Sequence, residues 1–84
     1  MEAPTPTKDD VAAAFGAVLH DRRRRRGLTQ GALALAGGVT PQFVSLLESG
    51  HHGPSLHTLL ALAQGLGDEP AELLADVAAR LAAG

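Results

Sequence analysis

The stretch Thr29–Gly50, TQGALALAGGVTPQFVSLLESG, decides how this chain folds. It reads as two short helices separated by a tight turn, each with its own start and stop signals. Thr29 can cap the first helix, whose inward positions are Leu33, Ala34 and Gly37. Gly38 marks the turn, because glycine adopts positive φ with no Cβ penalty. Thr40 caps a second helix with Pro41 at its first position, where the missing amide hydrogen is not needed. Val39 and Val44 stand at the spacing of a hydrophobic staple, which sets the angle between turn and helix. Val44 and Leu47 continue the buried stripe, and Gly50 ends it.

Two short helices across such a turn form a helix-turn-helix unit, whose second helix commonly enters the DNA major groove. Three runs carry a more specific likeness: R-x-x-x-G-L-T-Q over Arg23–Gln30, G-V-T-x-x-x-V-S-x-L-E-x-G over Gly38–Gly50, and P-S-L-x-T-L over Pro54–Leu59. With these runs in order and in register, the chain resembles the lambda-repressor-like, Cro-type (XRE) helix-turn-helix family of bacterial and phage DNA-binding proteins. The resemblance covers about residues 11 to 75. It implies an all-α, compact five-helix domain with the helix-turn-helix at helices two and three. It also implies sequence-specific binding of double-stranded DNA, as in the small stand-alone repressors, restriction controllers and antitoxins of this fold.

Outside the motif, 84 residues allow one small domain with a thin stability margin. The absence of cysteine rules out a disulfide framework and a cysteine metal site. No apolar run nears the ~20 residues of a membrane span, and the start lacks a basic-then-apolar signal pattern. A cytoplasmic protein with no membrane partner is expected. Residues 1–7 read as a flexible tail and 8–84 as the domain, with helices at about 8–26, 29–37, 41–49, 56–66 and 70–83.

Helix one starts from Thr7 and Asp10, a box-like cap, and carries Val11, Phe15, Val18, Leu19 and Arg22 on one face. Gly27 followed by Leu28 closes it. Ser55 caps helix four, whose expected core face is Leu56, Leu59, Leu60, Ala63 and Leu66, with Gly67 at its end. Helix five opens at Pro70. One apolar face can complete the core, and the apolar positions in excess mark an interface. Leu73, Leu74, Val77 and Leu81 are therefore expected to form a homodimer contact, setting two recognition helices about one DNA turn apart on a pseudo-palindromic site.

The formal net charge is −2, but its distribution is uneven: five of the seven lysines and arginines form the run Arg22–Arg26. Between Gly27 and Gly67 the only formal charge is Glu48. The run reads either as a solvated helix end favoured by the dipole or as phosphate contacts, for which Arg22 and Arg26 are the candidates. His51 and His52 can add positive charge when protonated.

On the second motif helix the outward residues are Pro41, Gln42, Ser45, Leu46 and Ser49. Gln42 can bond an adenine edge through both its amide atoms, so it is the leading specificity candidate. Thr40 and Ser45 can reach phosphate or base edges, and Leu46 offers apolar contact to a thymine methyl. Phe43 is expected at the domain rim. The resemblance places base contacts at Pro41, Gln42 and Leu46 and phosphate contacts at Gln30, His51 and His52. It also implies a largely buried structural ion pair between Arg23 and Glu48. The sequence departs from the family's pattern at Gly31 and Ala32, at Leu46 and at Asp68.

Histidine spacing among His51, His52 and His57 includes no i, i+4 pair, so no metal site is expected. No nucleophile–base arrangement, phosphate loop or paired carboxylates stand out, so neither catalysis, a cofactor nor a small-molecule ligand is expected. The competing expectation is a protein-interaction module, antitoxin-like, using Phe43, Leu46 and helix five on a protein partner.

Overall fold

The computed structural model describes residues 5–84, so part of the expected tail, residues 1–4, lies outside the described residues. Five helices follow in order: α1 (Lys8–Arg25), α2 (Gln30–Gly37), α3 (Pro41–Glu48), α4 (Leu56–Leu66) and α5 (Pro70–Ala83). No strand occurs among the described residues. Each of the first four helices begins at a hydroxyl cap: Thr7, Thr29, Thr40 and Ser55 each accept a hydrogen bond from the amide three residues on. At α1 the bond is reciprocal, because Asp10 accepts from the Thr7 amide. The caps sit one residue outside the helices, so α2 starts at Gln30 rather than Thr29, and α1 and α3 stop one residue short of the expected ends.

Gly38 closes α2 with φ +71°, the left-handed conformation the turn between the motif helices requires. The Val39 amide then donates to the Ala34 carbonyl at 2.9 Å. Val39 is partly buried against the core cluster that includes fully buried Val44.

The core is built from Phe15, Val18 and Leu19 of α1, Leu33 and Ala34 of α2, and Val44 and Leu47 of α3. Leu62, Ala63 and Leu66 of α4 and Leu73 and Val77 of α5 complete it. Helix α1 lies between α3 and α5, while α2 lies between α3 and α4. Two glycines set the approach of these layers. A Cβ at Gly16 would lie 2.4 Å from the Leu47 carbonyl oxygen, and one at Gly65 would lie 3.0 Å from the Gly37 amide nitrogen.

Two expected faces are corrected. On α4 the fully buried leucine is Leu62, whereas Leu56 and Leu60 are 73% and 45% exposed. The inward stripe runs Leu59, Leu62, Ala63, Leu66, rotated from the expected one because Gly65 must face α2. On α5, Leu73 and Val77 are buried in the protein's own core and Leu81 packs against it. They are not available to a second copy. Leu74, 54% exposed, is the member of that set left outside.

Candidate nucleic-acid interface

Helix α3 buries Val44 and Leu47 completely, and helical geometry then turns Pro41, Gln42, Ser45, Leu46 and Ser49 outward, where all five are exposed. The Thr40 hydroxyl accepts from the Phe43 amide at 3.1 Å, which commits it to capping. Phe43 is half-buried against the core, the rim position expected for it. At the far end the Ser49 hydroxyl donates to the Leu46 carbonyl at 2.5 Å and lies 3.2 Å from His51 Nδ1. His51 and His52 are both exposed in the segment joining α3 to α4.

Glu48, the last residue of α3, joins three helices. Arg23 Nε donates to its Oε2 at 2.6 Å and Arg23 Nη2 to its Oε1 at 2.9 Å. A further nitrogen of the same guanidinium, Nη1, donates to the Leu28 carbonyl at 2.9 Å. His20 Nδ1 lies 2.9 Å from Glu48 Oε1, and Gln30 Nε2 donates to that oxygen at 3.1 Å. Burial pushes the Glu48 carboxyl up, but the hydrogen bonds from Arg23, His20 and Gln30 outweigh it and hold the group below the usual carboxylate range. The hydrogen bond to Glu48 raises Arg23 against the opposing effect of burial. The ion pair between Arg23 and Glu48 thus anchors α3 to α1, with Gln30 fixing the start of α2. One amide hydrogen of Gln30 is committed to that role.

Arg22 and Arg26, the sequence candidates for phosphate, are turned toward α5. Arg22 Nη1 donates to Asp68 Oδ2 at 2.7 Å, its Nε to Asp76 Oδ2 at 2.8 Å and its Nη2 to the Glu72 carbonyl at 3.3 Å. Arg26 closes on the other oxygen of Asp68, whose side chain is 0% exposed. Burial pushes the Asp68 carboxyl up, and the two arginines more than reverse this, holding it low. Five consecutive residues wind around more than one turn, so the run divides. Arg22 and Arg26 clasp the α4–α5 junction, Arg23 holds Glu48, and Arg25 lies 4.0 Å from Asp76. Arg24 is exposed and makes no ion pair among the described residues. It stands one turn beyond His20 on α1.

His20 and Arg24 were not singled out from the sequence. His20 could have been found once Arg23 was paired with Glu48, because three residues is nearly one helical turn. Asp68 stood out only as a departure from the family's pattern. Its partners come from the last turn of α1 and its C-cap, more than forty positions earlier, and no local spacing signals them.

A helix-turn-helix family profile matches residues 19–74, the segment that contains the α2–α3 unit and the Glu48 junction. The chain belongs to the XRE-type helix-turn-helix family. An uncharacterized HTH-type transcriptional regulator of Sinorhizobium fredii, y4dJ, is 37% identical over 65 residues, spanning 77% of this chain and 84% of that protein. Among solved structures, the clp gene regulator ClgR of Corynebacterium glutamicum superposes with a TM-score of 0.82 at 32% identity, covering 95% of this chain and 82% of ClgR. The restriction-modification controller protein C.AhdI of Aeromonas hydrophila gives 0.70 at 37% identity, covering 74% and 94%. This helix-turn-helix protein therefore has the lambda-repressor-like fold. None of its described helices is long and apolar enough to cross a membrane.

Proposed function

We propose that this helix-turn-helix protein is a sequence-specific, double-stranded DNA-binding transcriptional regulator that acts as a homodimer in the cytoplasm, without catalytic chemistry. The observation that carries this reading is the outward face of α3. Pro41, Gln42, Ser45, Leu46 and Ser49 are exposed on a helix whose other side is fully buried and whose end is fixed by the Arg23–Glu48 pair. A rigid helix presented in this way suits the major groove. Gln42 reads a base edge, Leu46 meets a thymine methyl, and Gln30, Arg24, His51 and His52 flank them at phosphate. The roles named for the relatives, regulation of clp genes and control of restriction–modification, are of the same kind.

Of the expected homodimer set, Leu74 is the exposed member, and Leu56 joins it. Leu74 and Leu56 border an apolar groove of about 700 Å³ that is also lined by Val11, Phe15, Pro54 and Leu59. Leu60 is exposed on the same helix as Leu56.

A second reading, a protein-interaction module, draws on the neutrality of the motif: Leu35 is 86% exposed on α2 and Leu46 is exposed on α3. Salt titration of binding to a mixed-sequence duplex separates the two. Counterion release predicts a steep, linear fall of log K with log salt for the regulator. Absence of binding even at low salt eliminates it. Selection from a random duplex pool should then yield a motif that Gln42→Ala relaxes at one base position, by about 1–3 kcal/mol of discrimination. An unaltered motif would remove Gln42 from the groove.

A further inference from the structure

We infer that protons on His51 and His52 supply charge to the surface carrying α3 beyond that of the exposed Arg24 and Lys8, so that affinity for DNA rises as pH falls through the neutral range. This rests on the reading of α3 as the helix that enters DNA. The argument begins with the seven lysines and arginines. Asp68 and Asp76 draw Arg22 and Arg26 toward α5, Arg23 is consumed by Glu48, Arg25 lies 4.0 Å from Asp76, and Arg80 lies 3.7 Å from Asp21. Lys8 is at the first turn of α1, on the wall of the apolar groove. That leaves Arg24 as the exposed arginine without an ion pair among the described residues. From Gly27 to Gly67 there is no lysine or arginine at all, so α2, α3, the segment after it and α4 contribute no permanent positive charge.

Histidines occupy the place where such charge is wanted. His51 and His52 follow α3 directly, are exposed, and stand between its C-terminal end and the start of α4. Histidine is the side chain whose charge ordinarily changes between pH 5 and 8. The groups around these two rings leave them open to a phosphate. From α3, the Ser49 hydroxyl lies 3.2 Å from His51 Nδ1, and Glu48 is occupied by Arg23, His20 and Gln30. From α4, the first turn presents His57 and the capping hydroxyl of Ser55. From α1, Ala13 packs on Gly50, Asp9 stands one turn earlier on that face, and Lys8 shares the groove wall with Gly53 and Pro54. His20 is the one histidine within 4.0 Å of a carboxylate among the described residues. His20 is engaged at the Glu48 junction, whereas His51 and His52 are exposed to solvent.

A phosphate brought against these rings stabilises the protonated form, so binding takes up protons, and linkage makes log K fall with rising pH by the number taken up. The experiment measures binding of a labelled mixed-sequence duplex of about two helical turns to the full chain, at about pH 8 and about pH 6 across a salt series. The expected result is affinity at least about tenfold tighter at the lower pH, with a salt slope steeper by about 0.9 for each added imidazolium–phosphate contact. In His51→Asn/His52→Asn both the pH effect and the steepening should vanish. Both side chains are exposed, and circular dichroism at each pH checks that the variant stays folded.

Equal affinity at the two pH values overturns the inference while leaving DNA binding intact. A pH effect that persists in the double variant also overturns it, placing the protons elsewhere. Failure to bind at either pH removes the DNA-binding reading and this inference with it.

Discussion

Glu48 is the only formal charge between Gly27 and Gly67, and its two oxygens are shared among Arg23, His20 and Gln30. A carboxylate placed so deeply is stable only while its partners remain. Arg23→Ala should therefore cost about 3–5 kcal/mol in urea unfolding, because it leaves the buried Glu48 carboxylate without its permanent countercharge. The pH dependence follows from the direction of the shifts. Glu48 and Asp68 are both held below the usual carboxylate range in the folded protein, so the unfolded chain takes up their protons first. Their contribution is complete above about pH 4.3 and is lost as the pH falls through the folded values. Stability should decline on acidification below that point, and Glu48→Gln/Asp68→Asn should show a flatter decline from a lower starting value. An acid limb of unchanged steepness in the double variant would place the linkage on other groups.

At the scale of the elements, the decisive contacts are close approaches between helices. Gly16 brings α1 against the end of α3, where a Cβ would meet the Leu47 carbonyl at 2.4 Å. That carbonyl is held by the Gly50 amide at 3.1 Å, so Gly16→Ala must push the two helices apart. It should cost about 1–3 kcal/mol, as overpacking does. Gly31 is the counterexample on α2. It is exposed, and a Cβ there would meet only the Thr29 hydroxyl oxygen, at 3.9 Å. Gly31→Ala should stabilise the protein by roughly 0.5–1 kcal/mol, because alanine has the better helix propensity. Thermal melts of the two variants should move in opposite directions. A rise for Gly16→Ala would mean that the α1–α3 crossing relaxes far more easily than its geometry indicates.

The whole molecule raises the question of how two copies would meet. Neighbouring leucines on α5 have opposite fates: Leu73 is fully buried, while Leu74 lies at the edge of the apolar groove. Leu73→Ala should cost about 2–5 kcal/mol by opening a cavity, whatever the oligomeric state. Leu74→Glu should leave the fold intact and place two like charges in a symmetric seam. Sedimentation should then report a monomer, with weakened binding to a duplex carrying two half-sites. A dimer that persists in Leu74→Glu at the same concentration would put the seam on another face.

The sequence by itself determined the five helices, their caps, the glycine turn and the inward residues of α2 and α3. Each of these depends on groups within about one helical turn of one another, so local spacing suffices to place them. The Arg23–Glu48 pair was legible only through the family resemblance, since it joins distant positions. Tertiary structure alone decided the rotation of α4 that buries Leu62 in place of Leu60, and the burial of Leu73 and Val77 in their own core. It also decided the withdrawal of Arg22 and Arg26 to Asp68 and the attachment of His20 to Glu48. An apolar side chain looks the same in a core or at an interface, and an arginine looks the same beside a carboxylate or a phosphate. Only the packing of one helix on another selects between them.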